Sequence, residues 1–310
     1  MKIAIIGAGA MGSLFGGKLS EVADVCLYDV NKQHVEAVRK NGLLMTQGEK
    51  CLITHPRATS DPGEIGIVDA AIFFTKYIYM ESAVKDALNC IGPETLVVSL
   101  QNGIGAVDVI KKYVDEERVA YGLTAYTSDM KGPGHIEMTT HDQVWTYFWP
   151  CSNIVSEKAR ELEKVMNEAG FATEITREVD KKIWKKLMIN CSENVLSSIL
   201  RLTVGQLIET PSSMELIRRI VGEISAVARA KGIDISPEEG ERYVLEVSQA
   251  VMEHLPSMAL DVKNMRRTEI AVLNEAVEAE GRRLGVETPV ISALALLIRA
   301  LEDNYGSLAW

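Results

Sequence analysis

The sequence predicts an α/β domain built on a doubly wound parallel sheet with added edge strands, followed by an all-α helical domain. Three observations lead there. Short β-branched runs alternate with helical periods through the first half, strand signals then stop, and a glycine-rich turn joins the first strand to the first helix. A length of 310 residues suits two domains, each of roughly 150.

Runs at 3–6, 25–28, 70–74 and 96–100 read as strands, with amphipathic helices at 34–40 and 81–90 among them. Asp61-Pro62-Gly63 and Ile91-Gly92-Pro93 supply turns. Strand–helix–strand alternation means parallel strands covered by helices on both faces. Over 118–150, runs rich in Thr, Tyr, Val and Trp flank Gly132-Pro133-Gly134 and are expected as antiparallel strands on the sheet edge. A helix near 155–169 and a short strand around 171–176 follow. The rest has helical periodicity, broken at Thr210-Pro211, Ser236-Pro237, Pro256 and Pro289. The expected domains are a dinucleotide-binding domain over 1–174 and a helical substrate and catalytic domain over 175–310.

Hydrophobic residues at 47% and charged residues at 25% exclude a disordered, collagen-like or disulfide-stapled chain. The 33 basic against 43 acidic residues leave a net charge of −10. Such a surface repels phosphate backbones and anionic lipid, so neither nucleic acid nor a membrane is expected as partner. Met1-Lys2 leads straight into the first strand, with no signal segment, and a cytoplasmic location is expected. The cysteines Cys26, Cys51, Cys90, Cys151 and Cys191 show no C-x-x-C spacing, and four or five of them are expected as buried thiols. His135 and His141 read as surface or turn residues, and no metal site is expected.

Gly7-Ala8-Gly9-Ala10-Met11-Gly12 is a complete G-x-G-x-x-G between a strand and a helix. Gly7 permits the tight turn, Gly9 lets a pyrophosphate approach the backbone, and Gly12 lets helix and strand pack closely. The helix N-terminus then holds the phosphates, which makes the first domain Rossmann-type. Asp29 ends the second strand, where a carboxylate accepts ribose hydroxyls and repels a 2′-phosphate. It favours NADH over NADPH by a narrow margin, with Lys32 and Arg39 as candidates to meet a phosphate. The plainer alternative makes Asp29 a cap for the helix beginning around Asn31.

Two other strands end in polar residues at the carboxyl edge, where open parallel sheets bind ligands. Thr75-Lys76 would bring an ammonium to ribose or substrate, and Gln101-Asn102-Gly103 an amide between nicotinamide and substrate. The alternatives are a solvated Lys76 and an Asn-Gly turn that needs positive φ. In the second domain Lys186, Asn190 and Asn194 recur at i, i+4, i+8, a polar stripe about 12 Å long. Ile183, Leu187, Cys191 and Val195 form the apolar stripe beside it. Asparagine is a poor helix former, so propensity does not explain two of them here. The stripe would supply two amides to orient a substrate and one lysine to donate a proton; the alternative is a solvated edge. Ser257 is either an N-cap or a partner for a substrate carboxylate. Glu269 either pairs with Arg266 at i, i+3 or holds a hydroxyl or the catalytic lysine.

Together these motifs resemble the ketopantoate reductase (2-dehydropantoate 2-reductase) family over nearly the whole chain. The resemblance rests on GAGAMG at 7–12, TK at 75–76, QNG at 101–103, KGPG at 131–134, WKKLMIN at 184–190 with Asn194, SMALDV at 257–262, and TEI at 268–270 with Asn274. It implies nicotinamide-dependent reduction of ketopantoate to pantoate, for pantothenate and coenzyme A biosynthesis, with NADPH as the usual cofactor. It also implies that Lys186 is the general acid and that Asn102 touches cofactor and substrate. By the same matching, Asn190, Asn194 and Ser257 bind substrate, and Glu269 lies beside both ligands. Departures include Val195 where the family usually has proline, and Tyr28-Asp29 where NADPH-using members commonly carry an arginine. The alternatives are a reductase of another 2-oxo acid or imine, and a dinucleotide-binding protein without catalysis. A homodimer is left open. A lysine of ordinary pKa, about 10.4, would be cationic at neutral pH and serve as acid without a large shift.

Overall fold

A computed structural model of the protein describes residues 1–140 and 144–307, so His141 lies outside the described residues. The first unit begins with β1 (Lys2–Ile6), α1 (Ala10–Leu19), β2 (Asp24–Tyr28) and α2 (Lys32–Asn41). It continues through β3 (Leu43–Gln47), β4 (Lys50–Thr54), β5 (Arg57–Thr59), β6 (Ala70–Phe73), α3 (Met80–Ala87) and β7 (Leu96–Ser99). Then come α4 (Ala106–Ile110), β8 (Val119–Thr124), β9 (Ser128–Gly132), β10 (His135–Met138), β11 (Thr146–Pro150), α5 (Glu157–Glu168) and β12 (Thr173–Ile175).

The main sheet has the order β12-β11-β8-β7-β6-β1-β2-β5. Strands β8 to β5 are mutually parallel, and β11 joins β8 antiparallel. Its central strands are apolar on both sides because both sides are covered. Ile3 and Ile5 pack with Phe15 and Leu19 of α1 and Leu162 of α5, while Ala4 and Ile6 pack with Val84 and Ala87 of α3 and Ile110. The chain leaves β1 for β2 on one side and returns to β6 on the other. The carboxyl ends of β1 and β6 therefore form the topological switch point where such sheets bind ligands.

The antiparallel extension expected from 118–150 is present as β11 against β8. The strands flanking Gly132-Pro133-Gly134, however, leave the main sheet and form a second one with β3 and β4, in the order β4-β3-β10-β9. The reason is local to that turn. Leu44 donates its N–H to the Gly134 carbonyl at 2.9 Å, and Gly134 lies against Ala37 of α2.

The second unit is helical: α6 (Val179–Ile189), a π-helical segment (Asn190–Asn194), α7 (Val195–Leu200), α8 (Val204–Glu209), α9 (Pro211–Ala230), α10 (Pro237–Gln249), α11 (Ser257–Lys263), α12 (Asn274–Leu284) and α13 (Pro289–Asp303). Pro211, Pro237 and Pro289 stand at helix starts, where the missing N–H costs nothing. By contact, one unit comprises Met1–Gln101 with Ala106–Val179, and the other Asn102–Gly105 with Asp180–Trp310. Cys26, Cys90 and Cys191 are buried as expected, but Cys51 is exposed and Cys151 only partly buried. Cys51 sits on β4, an edge strand of the second sheet exposed from Lys50 through Ile53, so its side chain faces solvent. Among the described residues, no helix is long and apolar enough to cross a membrane.

Candidate functional site

The glycine-rich turn joins β1 to α1 at the switch point. Gly7 has φ of +93°, and a Cβ there would lie 2.7 Å from Thr75 Cγ2. A Cβ on Gly12 would lie 1.9 Å from the Gly7 carbonyl oxygen, so α1 reaches β1 only because this residue has none. Gly9 differs: a Cβ would meet nothing within 4 Å. It opens α1 with extended backbone, no side-chain cap and no acidic residue in the first turn. A helix start with open space before it and partial positive charge fits a pyrophosphate. Gly12→Ala should therefore cost about 2–4 kcal/mol of stability and weaken dinucleotide binding, both read by melting with and without NADH. An unchanged melting curve would contradict the close approach.

The other strand ends support this turn. The Gln101 side-chain amide donates to the Thr75 carbonyl and, at 3.2 Å, to its hydroxyl, bracing Thr75 against Gly7. Lys76 follows, partly buried, at the start of a short 3₁₀ turn (Tyr77–Tyr79). Asp29 accepts the Asn31 N–H at 2.8 Å, while the Asn31 side chain, accepting from the His34 N–H at 3.2 Å, caps α2. The capping alternative thus belongs to Asn31 and not to Asp29. Of the candidate phosphate partners, Lys32 is exposed. Arg39 is committed elsewhere, to the Ala58 carbonyl at 2.6 Å and the Glu64 carboxylate at 2.7 Å.

In the second unit the structure brings Asn102, Lys186 and Glu269 together. The Asn102 amide donates to the Glu269 carboxylate at 3.2 Å. Gly103 has φ of +84°, and a Cβ there would lie 2.2 Å from the Val272 carbonyl oxygen. Ile104 donates its N–H to that same carbonyl at 3.0 Å. The Asn-Gly turn does need positive φ, and it is this turn that docks Asn102 beside Glu269. Lys186 is partly buried. Burial lowers its pKa to about 8, and the Glu269 charge acts in the opposite sense. The expectation of an ordinary lysine is therefore corrected, because desolvation penalises the ammonium. Lys185 has other partners, the Glu239 carboxylate at 2.7 Å and the Tyr243 ring at 5.3 Å.

Sequence reasoning missed the support beneath Glu269. Arg266 pairs with Asp261 at 2.9 Å, which favours the second of the two alternatives for Glu269, a partner of the lysine, over an i, i+3 pair with Arg266. The buried Glu302 accepts the Thr268 N–H at 2.6 Å and its hydroxyl at 2.8 Å, and pairs with Arg267 and Arg299 at 2.9 Å each. No helical period links α13 to this turn, so no local signal could have found it.

The polar stripe is present, on a different backbone. Asn190–Asn194 is a π-helical segment where a plain α-helix was expected. An i→i+5 turn takes roughly one residue more than an i→i+4 turn. Residues four apart therefore stay more nearly stacked, and the Asn194 amide reaches the Asn190 side-chain oxygen at 3.3 Å. Asn274, which is fully buried, donates its side-chain amide to the Cys191 carbonyl at 3.1 Å, supporting the irregular turn. Asn190 and Asn194 are only 8% and 9% exposed, which removes the solvated-edge alternative. Within the same segment, burial raises the Glu193 carboxyl to about 7, beside the Ser248 hydroxyl. Ser257 is exposed at the first position of α11, whose N-cap is Pro256, so its capping alternative is also corrected. Helix α11 packs on α7 and the π-helical segment, which puts Ser257 on an element neighbouring the asparagines.

Comparison with known proteins identifies the family and the fold. Residues 3–150 match the family model described as Ketopantoate reductase PanE/ApbA, and residues 178–302 match the model of its C-terminal part. A 2-dehydropantoate 2-reductase of Streptococcus pyogenes serotype M1 is 32% identical over 306 residues, spanning 97% of this chain and 98% of its own. D-mandelate dehydrogenase, solved with NADH and anilino(oxo)acetate, is similar at a TM-score of 0.92 and 30% identity over 99% of both chains. A PanE/ApbA family ketopantoate reductase from Ralstonia eutropha JMP134 has a TM-score of 0.89 and 28% identity, over 99% of this chain and 100% of its own.

Proposed function

The chain belongs to the ketopantoate reductase family, and from that premise we propose that it reduces ketopantoate to pantoate with a nicotinamide dinucleotide. Pantoate is a precursor of pantothenate and coenzyme A. The observation that carries the reading is the joining of Asn102, Glu269 and Lys186 in one set. When bound, the dinucleotide supplies a hydride for the ketone carbon. Lys186 holds the proton for the developing alkoxide at Nζ, with a pKa of about 8, close to where proton transfer works best. Its charge stabilises that oxyanion before the proton moves. Glu269 keeps the ammonium charged and orients the Asn102 amide toward cofactor and substrate. Asn190, Asn194 and Ser257 bind the polar end of the oxo acid. Gly7 to Gly12 hold the pyrophosphate, with Lys76 nearby at the end of the neighbouring strand.

NADH is the preferred cofactor on this reading, since Asp29 stands where a 2′-phosphate would meet a negative charge. Asp29→Ala together with Val30→Arg, a 76% exposed position, should shift preference toward NADPH. The shift should be roughly tenfold, equal to about 1–2 kcal/mol of removed repulsion. Oxidation of NADH and of NADPH with ketopantoate tests both points. A parent protein that strongly prefers NADPH would sink the Asp29 argument. The likeness to D-mandelate dehydrogenase favours one second reading, a reductase of an aromatic 2-oxo acid. Turnover of phenylglyoxylate without turnover of ketopantoate would select it.

A further inference from the structure

The buried histidine of α2 takes no part in the chemistry above, yet its hydrogen bonds lead to the glycine-rich turn. His34 is 2% exposed. The Gly134 N–H donates to its Nδ1 at 3.0 Å, so Nδ1 bears the lone pair and the ring proton sits on Nε2. Nε2 lies 3.0 Å from Ser13 Oγ, and Ser13 Oγ lies 2.8 Å from the Ala8 carbonyl oxygen. With the tautomer set, the run has one direction. Gly134 donates to His34, His34 to Ser13, and Ser13 to Ala8, with each proton used once. Burial lowers the imidazole pKa from its ordinary value, Asp29 acting in the opposite sense, which agrees with a neutral ring.

The consequence lies in the Ala8–Gly9 peptide. In a planar trans peptide the carbonyl and the following N–H point in opposite directions. Ser13 holds the Ala8 carbonyl on its own side, so the Gly9 N–H is turned away from Ser13. A Cβ on Gly9 would find no atom within 4 Å, so there is room for a ligand at that residue. We propose that His34 and Ser13 are positioning residues that aim the Gly9 amide at the pyrophosphate of the bound dinucleotide. The proposal rests on the dinucleotide reading of the first unit. It also gives the Gly132-Pro133-Gly134 turn a task, since Gly134 anchors the run from the second sheet.

Three variants test it: Ser13→Ala, His34→Gln and His34→Asn. A glutamine amide reaches the place of Nε2 and keeps the Ser13 arm, whereas an asparagine oxygen overlies Nδ1 and keeps only the Gly134 arm. Direct titration with NADH and NADPH is read beside melting temperature and kcat at saturating dinucleotide. Ser13→Ala and His34→Asn should weaken dinucleotide binding roughly tenfold or more, and His34→Gln by no more than about threefold. The two histidine variants should melt alike, and kcat at saturation should stay near that of the parent. Parental affinity in Ser13→Ala and His34→Asn would overturn the proposal. So would equal loss in the two histidine variants, the mark of a merely structural histidine. A parent that binds no dinucleotide would remove the underlying reading first, and the proposal with it.

Discussion

Lys186→Ala should lower kcat by a factor on the order of 10²–10⁴, the usual contribution of a positioned general acid, with dinucleotide affinity near that of the parent. Lys185→Ala is the control. Its ammonium is committed to Glu239 and Tyr243, so its loss should touch stability more than rate. The pH profile carries a second readout. An acid works while it holds its proton, so kcat/KM should be level at lower pH and fall as pH rises through about 8. Glu269→Gln removes the charge that raises the Lys186 pKa, so this alkaline limb should move to lower pH. An alkaline limb that persists unchanged in Lys186→Ala would assign the proton to another group. Equal rate losses for the two lysines would sink the assignment as well.

Alanine at Asn190 or Asn194 should reduce kcat/KM for the oxo acid by roughly 10–150-fold, since a hydrogen bond to a charged group is worth about 1.5–3 kcal/mol. Dinucleotide binding should hardly change. Both side chains are buried and bonded to each other, so each substitution also strands a polar partner. Melting should fall by the equivalent of about 1–3 kcal/mol, and kinetics must be taken well below the transition. Ser257→Ala separates the two effects. It caps no helix, so oxo-acid use should suffer while the melting curve stays put. Full activity in both asparagine variants, with stability alone reduced, would end the clamp.

Several features were legible from local pattern. The strands around 3–6, 25–28, 70–74 and 96–100 were visible because a sheet covered on both faces needs unbroken apolar runs. The dinucleotide turn was visible because three backbone demands fall on glycines at fixed spacing, and Gly7 and Gly12 prove to have no room for a side chain. The lysine and asparagine stripe was visible because residues four apart share a helix face, and that holds through the π-helical segment as well.

Other features depend on partners distant in the chain, and the tertiary structure alone decided them. The lowered pKa of Lys186 comes from burial, opposed in part by the charge of Glu269, 83 residues away in sequence. The turn before Glu269 hangs on Glu302 of α13, and the irregular turn at Cys191 on Asn274 of α12. The hairpin at Gly132-Pro133-Gly134 reads as strands, yet which sheet takes it is decided by Leu44 and α2. Spacing along one chain segment encodes periodicity, and periodicity says which residues share a face. What that face meets depends on folding the whole chain, and desolvation, ion pairing and cross-segment hydrogen bonds arise only at that meeting.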